Sequence, residues 1–216
     1  MTEEACIPHS FGNRLLWQTT LDGWLRLLKD YEKAEPSDPD LAYWYGERPL
    51  TGLLGTAAWL AGGWSLEEFG AERKGKSGRV RQGRGDLRFG TGDAVSIVEA
   101  KICWAIDELP QSLKAARKQL RKLVTAGQDG QPVSVCYVVP CYGRRTRRDV
   151  GEVALTKLQD RLKKEGMATA KHFAAIQGIE DEREGLIYPG VLLVAREEAW
   201  PAEQASAGLT AAGVLS

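Results

Sequence analysis

Residues 85–101, Gly-Asp-Leu-Arg-Phe-Gly-Thr-Gly-Asp-Ala-Val-Ser-Ile-Val-Glu-Ala-Lys, constrain the fold of this chain more than any other stretch. They predict a β-hairpin. One strand covers residues 85–89 and the other 94–102, joined by Gly90-Thr91-Gly92-Asp93, whose glycines tolerate the positive φ that tight turns demand. A turn centred on Thr91-Gly92 pairs Gly90 with Asp93 and Phe89 with Ala94, and sets Asp86 opposite Ile97. Side chains alternate faces with period two, so Asp86, Glu99 and Lys101 share a face, with Asp86 diagonal to Glu99. Diagonal Cβ atoms lie roughly 7 Å apart. Two carboxylates at that spacing suit one hard divalent cation, and Mg²⁺ is commonly held by one or two carboxylates plus water and substrate phosphate. An amine two residues beyond Glu99 is placed to orient a water or to offset charge growing on phosphorus.

The second strand begins Ala94-Val95-Ser96-Ile97-Val98, small or apolar on both faces, which marks a central strand covered on both sides. Charges at the end of such a strand are half-buried and need partners, so a Glu99–Lys101 ion pair without chemistry is the plain alternative.

Net charge is zero over the 216 residues but is unevenly spread. Residues 1–47 carry −5, 48–70 carry −1, 71–148 carry +10 and 149–216 carry −4. The basic excess coincides with the carboxylate hairpin, the electrostatic footprint of a protein that meets a polyanion. Its members fall into three groups. Lys74, Lys76, Arg79, Arg81 and Arg84 read as a flexible loop leading to Asp86. Lys114, Arg117, Lys118 and Arg121 line one side of an expected helix over residues 107–124, whose apolar stripe is Leu109, Leu113, Ala116, Leu120 and Leu123. Arg144, Arg145, Arg147 and Arg148 crowd a loop, where forked guanidinium bonds suit phosphates.

Around this centre the expected order is a Leu- and Trp-rich helix over residues 11–34, closed by Pro36-Ser37-Asp38-Pro39, and a buried helix from about Pro49 to Ala61. Strands follow over residues 66–74 and 133–139, then a helix over 150–165 and a strand over 186–195, with 170–179 undecided. The aromatics Tyr43, Trp44, Tyr45, Trp59 and Trp64 read first as core and second as stacking surfaces for bases. Gly75-Lys76-Ser77 is not a phosphate loop, because no strand–loop–helix context surrounds it. Cys6, Cys103, Cys136 and Cys141 lack paired spacing and only His9 and His172 accompany them, which argues against zinc and for a reducing, cytoplasmic setting. The longest apolar run, residues 50–63, is too short to span a bilayer, so no membrane partner is expected.

Gly85-Asp86 followed by Glu99-Ala100-Lys101 across a hairpin resembles the PD-(D/E)XK nuclease superfamily, with Gly where the family name carries Pro. The resemblance covers residues 41–140, on which the family's α-β-β-β-α-β order can be laid. It implies an α/β, restriction endonuclease-like core, a mixed central sheet flanked by helices, in a single domain. Residues 1–40 would be a helical extension, 141–200 a C-terminal helix and strands, and 201–216 a mobile tail. It further implies a Mg²⁺-dependent nuclease, with Mn²⁺ as substitute, hydrolysing phosphodiester bonds of nucleic acid, DNA first. Asp86, Glu99 and the Ala100 carbonyl would hold the metal, with Glu47, or in competition Glu72, completing the site. Lys101 would act on the attacking water, and Gln111, at the start of the following helix, matches a polar residue some family members use. Restriction, phage defence, mobile-element processing and repair are the implied settings, as a homodimer or as a subunit of a larger complex. The rival expectation is a silent nuclease-fold module that binds nucleic acid or a protein within an assembly.

Overall fold

A computed structural model describes residues 4–34, 41–75, 77–123, 130–143, 148–173 and 186–200. The elements in chain order are β1 (Ala5–Cys6), α1 (Arg14–Ala34), a 3-10 turn (Ala42–Tyr45), α2 (Glu47–Leu60), β2 (Trp64–Lys74), β3 (Val80–Thr91), β4 (Ala94–Cys103), a 3-10 turn (Ile106–Glu108) and α3 (Leu109–Leu120). There follow β5 (Gln131–Val138), β6 (Tyr142–Gly143), α4 (Arg148–Lys164), β7 (Ala168–Phe173), β8 (Leu186–Ile187) and β9 (Gly190–Glu197). Seven strands form one sheet in the order β1-β7-β9-β5-β4-β3-β2. Only the β4–β5 pair is parallel, bridged by α3, so this is a mixed α/β sheet.

Alternation along the strands sorts the core into two sides. Val98 and Ala100 of β4, with Val133, Val135 and Tyr137 of β5, face α1 and α2. Cys103, Cys136 and Val138 face α3 and α4, and Ile97 packs with Phe69, Leu120 and Leu123 on that same α3 side. β4 is accordingly buried from both faces, as its run of small and apolar residues demands.

The order α2-β2-β3-β4-α3-β5 is the one expected for residues 41–140. The structure decides three points. First, the helical extension, α1, packs into the core. Trp17, Leu21 and Trp24 are fully buried in the main core, Trp17 donates Nε1–H to Ser96 Oγ at 3.0 Å, and its ring meets Phe89 edge-on at 5.1 Å. Second, residues 80–84 are strand rather than loop, paired with β2 out to Lys74↔Val80. Gly and Arg read as loop formers one by one, yet a ladder to a neighbouring strand overrides weak local preference. Third, the β3–β4 turn sits at Gly92-Asp93, with Thr91↔Ala94 and Phe89↔Ser96 paired. Gly92 takes φ +52°, which only glycine adopts without strain. The ladder is thus two residues from the expected register, and a two-residue slip leaves every side chain on its expected face. The mobile tail expected over 201–216 lies outside the described residues.

Candidate metal and nucleic-acid site

β3 pairs with β4 from Thr91↔Ala94 to Leu87↔Val98 and no further, while β4 continues beside β5 to Cys103↔Val138. At this fork one edge of β4 loses its neighbour. The Asp86 carboxylate fills the gap, its Oδ2 accepting the Ala100 N–H at 2.8 Å. A local bend accompanies the fork. Glu68 of β2, across from Asp86, has φ +44°, a costly value for a non-glycine residue. Phe69 then lies on Gly85: a Cβ there would stand 2.2 Å from the Phe69 ring. No larger residue, proline included, fits beside Asp86 in this packing.

Four side chains converge at the fork. Lys101 Nζ lies 3.8 Å from Asp86 Oδ2 and 3.5 Å from Glu47 Oε1, and it also donates to the Ala100 carbonyl. Glu47 comes from the first turn of α2, where a carboxylate is favoured by the helix dipole. Burial pushes the Glu47 carboxyl above its usual range, Lys101 pulls it back and Asp86 pushes it up again. Glu99 is fully buried. Its pKa is raised to about 8, first by burial and then by the Asp86 charge, against the pull of Arg73 and Lys101. One oxygen, Oε1, pairs with Arg73 Nη2; the other, Oε2, is buried without a hydrogen-bond partner. A buried carboxylate oxygen left unmatched is costly, and it is the donor type a hard cation takes.

Glu47 is the carboxylate brought to the cluster. Glu72, its competitor, is an exposed residue paired with Gln82, on the face of β2 opposite Arg73. Among the described residues there is no group of three or more His, Cys, Asp and Glu side chains close enough to hold a metal together. The oxygen donors at the fork are the Asp86 and Glu99 carboxylates and the Ala100 carbonyl, the donor type that hard cations take.

Arg73 is the site residue the sequence reading missed. It follows Phe69 and Ala71 at two-residue spacing, so alternation already places it on the inward face. Its guanidinium crosses β3 to reach Glu99, donating on the way to the Arg84 carbonyl, with Nε at 2.9 Å. Gly83 leaves the room: a Cβ there would stand 2.8 Å from Arg73 Cδ.

Beyond the fork, β2 and β3 run on as a two-stranded arm that, among the described residues, pairs with no other strand of the sheet, and its tip rests on the turn that follows α3 through Lys74 N–H to Lys122 O at 2.8 Å. Lys74, Arg79, Arg81 and Arg84 are exposed along it, and Lys114, Lys118 and Arg121 are exposed on α3. Two of the expected phosphate contacts are already committed. Arg84 pairs with Glu68, and Arg117 Nε lies 2.9 Å from Glu198 Oε2. Gln111 is exposed in the first turn of α3. Lys76, Arg144, Arg145 and Arg147 lie outside the described residues, as does the side chain of Arg148, which opens α4. No helix among the described residues is long and apolar enough to cross a membrane.

Comparison with protein-family profiles, with curated proteins and with solved structures found no match.

Proposed function

We propose that this protein is a divalent-metal-dependent nuclease that hydrolyses phosphodiester bonds, with a restriction endonuclease-like core. The observation that carries the reading is the fork. Asp86 and Lys101 meet Glu47 there at 3.5–3.8 Å around the Lys101 amine, and Glu99 keeps a buried oxygen unmatched. Asp86, Glu99 and the Ala100 carbonyl would hold Mg²⁺ or Mn²⁺, with Glu47 alongside. When bound, the cation supplies Lewis acidity at the phosphate and a more acidic water. Lys101 orients the attacking water and offsets the negative charge that develops on the phosphorane oxygens. Arg73 positions Glu99 and keeps it poised against Asp86. The exposed cations of the arm and of α3 hold the nucleic-acid backbone, DNA in the first instance, and fix its register without reading bases. Restriction, phage defence, mobile-element processing and repair all use such chemistry.

Incubation with single- and double-stranded DNA and RNA, in Mg²⁺ or Mn²⁺ against EDTA, tests this. Metal-dependent cleavage lost in Lys101→Ala is the expected result, and no cleavage of any of the four substrates with either metal overturns it.

One observation favours a second reading. The Arg73 guanidinium already takes one oxygen of Glu99, as it would in a silent module of the same fold that binds nucleic acid or a protein partner in a larger complex. Calorimetric titration with Mg²⁺ separates the two, since the silent module takes up none.

A further inference from the structure

Three residues beyond Lys101 the chain leaves β4 and turns at Trp104, whose backbone N–H is held by Glu108 Oε2 at 3.2 Å. At strand rise this is about 10 Å from the candidate catalytic lysine. Trp104 is 37% exposed. It meets Tyr188 edge-on at 6.3 Å, and Tyr188 meets Trp44 at 6.0 Å. Trp44 belongs to the 3-10 turn Ala42–Tyr45, which enters α2 at Glu47. Tyr45, next in that turn, is 62% exposed. Three chain segments thus build one row of rings, and two of them are direct continuations of the elements that carry Lys101 and Glu47.

Most aromatics near these segments serve the core: Tyr43 is fully buried, and Trp24 stacks on Tyr137. Trp104 and Tyr45 depart from that pattern, since exposing a large ring forgoes burial energy. Beside Trp104 opens a cleft of about 510 Å³ lined by Ile106, Pro110 and Pro140, with Asp107 and Arg161 as its charged members, Arg161 in a loose, exposed pair with Glu165 at 3.5 Å that a phosphate can displace. That volume is within the range of small-molecule sites. The lining combines a flat apolar face, a carboxylate acceptor and a guanidinium. An aromatic heterocycle tied to an anion matches all three: the ring stacks, its amino or imino hydrogens meet the carboxylate, and its phosphate meets Arg161. A duplex keeps its bases stacked inside and offers this surface only backbone.

We propose that the Trp44–Tyr188–Trp104 row and its cleft bind an unpaired nucleobase flanking the phosphate held at the fork, so that the substrate is a single strand or a duplex with an unpaired end or flap. The position next to a scissile phosphate rests on the nuclease reading; base stacking by this surface does not. Sequence-tolerant stacking of this kind is how aromatic platforms hold single strands.

Fluorescence anisotropy in EDTA, with the full chain and no cleavage, tests the site. The probes are a labelled oligothymidine, the same backbone made abasic, and a duplex of equal length. The oligothymidine binds the wild type more tightly than either control. Trp104→Ala lowers its affinity about tenfold or more and leaves the duplex unchanged, while Trp104→Phe retains most of the affinity. Tyr45→Ala, at an exposed position, gives a smaller loss in the same direction and serves if Trp104→Ala does not fold. Equal binding of abasic and base-bearing strands, or equal loss on single strand and duplex, overturns the proposal, as does failure of the wild type to bind any probe. Mg²⁺-dependent cleavage is scored separately. Trp104-dependent strand binding without cleavage sinks the nuclease reading alone, and cleavage indifferent to Trp104 sinks the stacking site alone.

Discussion

Two buried carboxylates in this protein are treated in opposite ways. Glu198, at the far side of β5, is 7% exposed and has a partner at both oxygens: Ser134 Oγ donates to Oε1 at 2.9 Å, the Arg117 guanidinium forms an ion pair with Oε2 at 2.9 Å, and Arg196 Nε stands 3.7 Å from Oε1. Its backbone N–H is satisfied too, by the Pro132 carbonyl. Glu99, at the fork, has one oxygen on Arg73 and the other unmatched, and burial, with the Asp86 charge second, raises its pKa to about 8. A carboxylate kept for stability has a partner from the chain at each oxygen, as at Glu198. One left unfilled beside a second carboxylate costs the fold stability, and perturbed groups of this kind cluster at functional sites.

The largest expected effect breaks that comparison at its chemical end. Lys101→Ala lowers the cleavage rate about 10²–10³-fold, the scale of losing one group that acts on the transition state. Mg²⁺ still raises its thermal midpoint, as in wild type, because the carboxylates remain. If Lys101→Ala cuts at the wild-type rate, the amine does not take part. If wild type, Lys101→Ala and Glu99→Ala all respond to Mg²⁺ alike, the fork is not the metal site.

Next comes a pH signature. The folded-state pKa of Glu99 is raised, so the folded chain holds its proton more firmly than the unfolded chain. This contribution to stability is fully present below the unfolded value of about 4.5 and is lost as pH rises towards about 8. Glu99→Gln cannot titrate. The stability of the variant relative to wild type therefore rises through that window by up to about 1.4 kcal/mol per pH unit. Denaturant melts of both proteins across the window give the difference, and a flat one means Glu99 ionises normally.

Glu198→Ala reads the other pole. It strands Ser134 in the core and deprives Arg117 of its partner, at a cost of about 2 kcal/mol, since the half-exposed Arg117 can turn to water. It has no effect on Mg²⁺ response or on the pH window. A Glu198 variant as stable as wild type would erase the contrast.

The smallest effects belong to the exposed cations. Arg79→Ala, Arg81→Ala and Lys118→Ala each leave stability within about 0.5 kcal/mol. Each flattens the log–log salt dependence of duplex binding by up to about 0.9. An unchanged slope means that the arm and α3 face something other than phosphates.

Much of the fork was legible beforehand because its determinants are local. Glycines bracket the turn, period-two alternation sets faces, and across the hairpin Asp86, Glu99 and Lys101 fall on one face. An error of two residues in the register cost nothing for that reason. Arg73 was legible in principle, two residues beyond Ala71 on an inward face, but its partner was not. Glu99 lies on a strand that does not pair with β2.

The amino-acid sequence by itself determined the order of elements from α2 to β5, the burial of β4 and the concentration of positive charge around the hairpin, because propensity, periodicity and charge act between near neighbours. Tertiary structure alone decided the rest. It drew α1 into the core through Trp17, made residues 80–84 a strand and chose Glu47 over Glu72. It also set β9 antiparallel beside β5 and opened β3 from β4 one residue before Asp86. Each of those outcomes depends on which distant segment supplies a hydrogen-bond ladder or an apolar face, and a ladder partner leaves no signature in the local spacing of the strand that receives it.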